Sequence, residues 1–81
     1  MIEERVKKIL AGVMNVPPET VTKESSADTI EAWDSLKQMT LILTLEQEFN
    51  IQFMESQVYE LLSYSAIVDA ISGMNAHRAG S

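Results

Sequence analysis

Apolar residues recur at helical spacing in four stretches of the chain. In the first, Ile2, Val6, Ile9, Leu10 and Val13 share a face, which predicts an amphipathic helix from about Ile2 to Asn15. Asn15 accepts a left-handed conformation at its end, and Pro17 and Pro18 forbid continuation. No period runs from Val16 to Asp34, where Pro17, Pro18, Thr20, Thr22, Ser25, Ser26 and Asp28 dominate. So long a connection inside a compact domain is uncommon and is usually functional or partly structured. Val21, Ile30 and Trp33 need burial and are expected to pin it to the core. A second helix starts near Ser35 and ends near Phe49, with Asn50 as its C-terminal cap. A short third helix is expected over about Glu55 to Leu62, with Val58, Leu61 and Leu62 inward. A fourth, from about Ser65 to Met74, turns Ile67, Val68, Ile71 and Met74 inward. Ile51 to Phe53 reads as a connection, and no segment alternates as a strand does. The pattern predicts an all-α four-helix bundle with a long loop between the first two helices and a short third helix. One domain is expected over residues 1–75, followed by a flexible tail over 76–81.

The second helix carries apolar residues on two sides. Leu41, Ile42, Leu45 and Phe49 form the natural core face, and Leu36, Met39 and Leu43 fall nearly opposite. Periodicity alone leaves two readings open. Either the helix is central and buried on both sides, or the second set is exposed and meets a partner. An 81-residue chain has few elements with which to cover both faces. The i, i+3, i+7 spacing of Leu36, Met39 and Leu43 suits a helix laid into a partner's groove.

Ser35 stands at the head of that helix. With Gln38 it has capping-box spacing, so the plain reading is a structural cap, and Asp34 is the alternative cap. The functional reading is a hydroxyl held at a helix N-terminus, where a covalently bound phosphate would meet the positive end of the helix dipole. A nucleophile of hydrolase type would need a positioned base and an oxyanion hole. The one histidine, His77, lies near the chain end, and no Gly-x-Ser-x-Gly turn surrounds Ser35.

Composition narrows the classes. There is no cysteine, which excludes disulfides and thiolate metal sites, and any thiol chemistry must come from an attached group. Twelve acidic and 6 basic residues give a formal charge of -6, which disfavours nucleic acid and favours partners with basic surfaces. No secretory pattern and no membrane-length apolar run is seen, so the expectation is a soluble, cytoplasmic, monomeric protein. A calcium-binding helical domain fails for want of an Asp-x-Asp-x-Asp-Gly loop.

Trp33-Asp34-Ser35-Leu36 resembles the attachment motif of the acyl carrier protein family, Asp-Ser-Leu at the start of the second helix. The likeness continues through Leu41, Leu45, Glu46, Glu48, Phe49 and Ile51, covers roughly residues 2 to 74, and includes the helix order. The resemblance implies an acyl-carrier-type bundle in which Ser35 accepts 4'-phosphopantetheine from coenzyme A, through a separate phosphopantetheinyl transferase with magnesium. It implies that Asp34 helps that transferase position the serine. Leu36, Met39 and Leu43, with Glu46 and Glu48 nearby, would form the docking surface for acyl-loading and acyl-processing enzymes with basic patches. The chain would carry acyl or aminoacyl groups without catalysing a reaction itself.

Several positions depart from the family pattern. Lys37, Gln38, Thr40 and Gln47 stand at positions that in fatty-acid carriers are often acidic or otherwise different, Asn50 replaces a usual glycine, and Met54 a common proline. Trp33 before Asp34 is more typical of specialised carriers, which points to a dedicated fatty-acid, polyketide or related pathway. In this family the bundle interior can shelter an acyl chain, and Leu41, Ile42, Leu45, Phe53, Leu61, Leu62 and Ile67 are the candidate lining. Phe53 and Tyr64 are bulky there, so long chains are expected to be sheltered poorly. The competing function is an unmodified helical module whose apolar face binds a protein partner.

Overall fold

The computed structural model describes residues 2–74 with their side chains and, of 75–80, the helical backbone alone. The tail expected over 76–81 therefore lies outside the residues described with side chains. Among the described residues four α-helices follow in order: α1 (Ile2–Met14), α2 (Ser35–Phe49), α3 (Glu55–Val58) and α4 (Tyr64–Gly80), with a 3₁₀ turn at Pro18–Thr20. Among the described residues the only β-type pairing is an isolated antiparallel bridge between Ser26 and Ser63. The chain is all-α, as the periodicity predicts.

The helix ends follow from local chemistry. Asn15 takes φ 59° after α1, and Val16 N donates back to the Ala11 carbonyl at 3.0 Å, which closes the helix in a Schellman-type turn. Asn50 does the same after α2 at φ 54°, with Ile51 N on the Glu46 carbonyl at 3.1 Å. Asparagine tolerates this left-handed conformation at modest cost, so the usual glycine is not required.

The core is one continuous cluster. Val6, Leu10, Ala11 and Met14 from α1 meet Leu41, Ile42 and Leu45 from α2, Phe53 and Leu61 from the segment around α3, and Tyr64, Ile67 and Ile71 from α4. The long loop closes it with Val21 and Trp33, both buried, while Ile30 packs at its edge. Hydrogen bonds then fix the loop. Ala27 N donates to Leu62 O and Tyr64 N to Ser25 O, both at 2.9 Å, and the Ser65 hydroxyl donates to Lys23 O at 2.9 Å. The loop's backbone thus finds its partners in the α3–α4 connection and the first residues of α4.

α3 is shorter than the apolar spacing suggests. It spans Glu55–Val58, and turn bonds carry the chain on through Leu61 and Leu62. Leu61 points inward, but Leu62 is 43% exposed, which corrects its placement in the core. The Leu62 carbonyl is held by the Ala27 amide, and this fixes its backbone in the loop junction with the side chain outward.

Candidate functional site

Asp34 caps α2. Its backbone is extended (φ -111°, ψ -172°), its Oδ1 accepts from Lys37 N at 2.9 Å, and its carbonyl takes the first helical bond from Gln38 N at 2.8 Å. Ser35 is therefore the first residue inside the helix rather than its cap. The capping box between Ser35 and Gln38 does not form, because Gln38 turns inward and is buried. Ser35 is exposed, and its hydroxyl makes no hydrogen bond to any described residue. It stands among the unpaired amide groups of the first helical turn, where the dipole is positive. No acidic side chain lies in that turn, and Lys37 adds a positive charge.

Behind Ser35 the wall is built by Trp33 and Gln38. The indole nitrogen of Trp33 donates to Gln38 Oε1 at 2.6 Å. Gln38 Nε2 donates to the carbonyls of Val58 at 2.7 Å and Leu61 at 3.0 Å. Those carbonyls belong to the last turns around α3, which have no helical partner of their own. Beside Ser35 a surface groove of about 550 Å³ runs over Trp33, Gln38 and Met39 to Val58, Tyr59 and Leu62.

Leu36, Met39 and Leu43 lie on the outer face of α2 at 74%, 47% and 58% exposure. On the opposite face Leu41, Ile42 and Leu45 are buried, so the helix has one core face and one open apolar face. Met54, Tyr59 and Leu62 are exposed as well.

Glu46 and Glu48 are engaged within the fold. Glu46 Oε2 accepts from Phe53 N at 2.8 Å, which ties the connection after α2 back onto the helix. Glu48 lies 3.6 Å from Arg5, whose guanidinium also donates to the Glu48 carbonyl at 2.8 Å and stacks 4.5 Å from the centre of the Phe49 ring. The structure thus brings Asp34, Ser35, Leu36, Met39 and Leu43 to one end and face of α2, while Glu46 and Glu48 hold neighbouring segments. Sequence reasoning missed the bridging role of Gln38. The available signal was a tryptophan five positions before an amide, with both side chains able to face the core.

An exposed, unbonded primary hydroxyl at a helix N-terminus, beside a partly apolar groove, fits a covalent phosphodiester carrying a long arm. The family profile described as the phosphopantetheine attachment site matches residues 4–71. The chain belongs to that family. Proteins of this family carry covalently attached 4'-phosphopantetheine, and the chain is a phosphopantetheine-type carrier protein. Carrier domains of this kind are not catalytic themselves, and they work with modifying and acyl-processing enzymes. No helix among the carrier's described residues is long and apolar enough to cross a membrane.

Proposed function

We propose that Ser35 is the attachment residue of this carrier, and that it presents acyl or aminoacyl groups to partner enzymes without catalysing their reactions. The observation that carries the reading is the division of labour between Asp34 and Ser35. Asp34 takes the capping bond at 2.9 Å and leaves the Ser35 hydroxyl free and exposed. Attachment forms a bond from Ser35 Oγ to phosphorus, with the nucleotide part of coenzyme A leaving and the hydroxyl proton passing to a base on the transferase. The resulting anion sits at the positive end of α2. When bound, the group supplies a terminal thiol that holds cargo as a thioester. A cysteine-free chain gains thiol chemistry in this way.

Asp34 has a second carboxylate oxygen that the Lys37 amide does not occupy, and it faces the transferase and its magnesium in this reading. Leu36, Met39 and Leu43 form the apolar centre of the docking face in this reading; Glu46 and Glu48, which also hold Phe53 and Arg5, would add negative charge for a partner's basic patch. The net charge of -6 supports transient, electrostatically steered encounters with basic surfaces. Lys37, Thr40 and Gln47 make the helix less acidic than in fatty-acid carriers. This supports dedicated partners in a specialised fatty-acid, polyketide or related pathway; the reading takes the carrier as a monomer working in the cytoplasm. Incubation with coenzyme A, magnesium and a broad-specificity phosphopantetheinyl transferase, followed by intact mass, tests the reading. One phosphopantetheine adduct supports it. An unchanged mass for folded protein and active enzyme favours the unmodified interaction module.

A further inference from the structure

The feature that the carrier role leaves unused is the buried amide of Gln38. A glutamine 6% exposed in a small core is costly unless every polar atom is paired, and here both ends are. Its oxygen accepts from Trp33 of the long loop, and its nitrogen donates to Val58 and Leu61 beside α3. One side chain thus joins three segments: the loop, α2 and the α3 turn.

These three segments are also the walls of the groove beside Ser35. Gln38 and Trp33 line it, whereas Leu41, Leu45 and Ile67, fully buried, do not. The bonded pair separates groove from core. α3 has only four residues and cannot hold itself in place by helix propensity. Its seat depends on side chains from elsewhere, and the Gln38 amide is the polar one that reaches it from α2.

We infer that Gln38 is a latch: by binding Trp33 and the α3 carbonyls it keeps the passage from groove to core closed. Cargo on the Ser35 arm then rests in the surface groove against Met39, Tyr59 and Leu62 instead of entering the bundle. Gln38 is a positioning residue that sets which cargo is sheltered. Short or ring-bearing groups that fit the groove are covered, and the far end of a long alkyl chain stays in water. The cargo part of this inference rests on Ser35 being the attachment residue, but the latch itself does not.

Removing the latch leaves the Trp33 N–H and the Val58 and Leu61 carbonyls without partners, and they regain them only by admitting water. Gln38→Met keeps the volume and removes the bonds; Trp33→Phe keeps a ring and removes one bond. Hydrogen exchange on the unmodified protein tests the latch alone. The Ala27 amide, which bonds across this junction to the Leu62 carbonyl, and the Leu61 amide, which bonds within the α3 turn to the Gln57 carbonyl, are expected to exchange about tenfold faster in Gln38→Met relative to the Leu10 amide of α1. Equal acceleration at all three sites means Gln38 serves only global stability and overturns the latch. If Gln38→Met does not fold, Trp33→Phe takes its place, with the same two outcomes.

The cargo part is read by methyl NMR on protein whose mass shows a long saturated acyl arm. In the parent, shifts are expected at Met39 and Leu62 and not at Leu41, Leu45 or Ile67. In the latch variant the core methyls are expected to shift as well. Core shifts in the parent, or a variant that keeps the parent's pattern, overturn the inference. Failure to gain the arm's mass is a failure of the Ser35 reading instead, and the exchange result still decides the latch.

Discussion

The Asp34 carboxylate accepts a hydrogen bond from the Lys37 amide at 2.9 Å, and this bond decides what its neighbour Ser35 is free to do. A serine used as a cap has its oxygen committed to the helix. Because Asp34 takes that role, Ser35 enters the helix with its hydroxyl unbonded. Two functions that sequence spacing could assign to one residue are held by two.

Asp34→Ala removes the cap and is expected to cost about 1 kcal/mol in urea unfolding. Asp34→Asn keeps a capping oxygen and is expected to cost less than about 0.5 kcal/mol. If Asp34 also serves the transferase and its metal, Asp34→Asn slows modification at least about tenfold despite near-normal stability. A modification rate equal to the parent's limits Asp34 to capping.

The outer face of α2 gives a second test. Leu43→Ser removes an apolar side chain that is 58% exposed, so stability should change by less than about 0.5 kcal/mol. Affinity for an acyl-processing partner should fall about tenfold, read by titration calorimetry, because the centre of a docking patch carries most of the energy. A large loss of stability would instead place Leu43 in the core.

Charge should act differently from apolar contact. Glu48 is paired with Arg5 and its side chain is about half exposed. Glu48→Gln should therefore change the association rate and its salt dependence more than the dissociation rate, measured by stopped flow. A change confined to dissociation would make Glu48 a direct contact of the bound state.

Tyr64 supplies a pH test. Its phenol is buried, and burial raises its pKa above the usual tyrosine value, with the Glu3 and Glu4 carboxylates adding to the effect. The folded state thus holds the phenolic proton more tightly than the unfolded state does. The stability this confers is present below the unfolded value of about 10 and is lost as pH rises through the folded value. Denaturant midpoints should fall above about pH 10 in the parent and fall less in Tyr64→Phe. Near neutral pH the same variant should be less stable by about 1 kcal/mol, since the hydroxyl donates to the Glu3 carbonyl at 3.0 Å.

Periodicity was enough to find the helices, and Asn15 and Asn50 marked their ends by a conformation few other residues accept. The two faces of α2 were also legible, because Leu41 and Leu45 are spaced for the core and Leu36 and Leu43 are not. What spacing did not reveal lies in side chains that reach across elements. Ser35 and Gln38 have capping-box spacing, yet Gln38 finds better partners in Trp33, Val58 and Leu61 once the chain is folded. The apolar character of Leu62 suggests a core position, but its backbone bond to Ala27 fixes a turn that leaves the side chain outside. Glu46 and Glu48 look like free surface charges until Phe53 and Arg5 are placed beside them.

The most direct measurement of the central claim is fragment mass spectrometry of the protein after reaction with coenzyme A, magnesium and the transferase, with Ser35→Ala in parallel. The account predicts a single phosphopantetheine on the fragment ions that contain Ser35. It also predicts none on the variant, whose stability should stay within about 0.5 kcal/mol of the parent because the hydroxyl makes no hydrogen bond to any described residue. An adduct on Ser35→Ala, or on another serine or threonine of the parent, would contradict it.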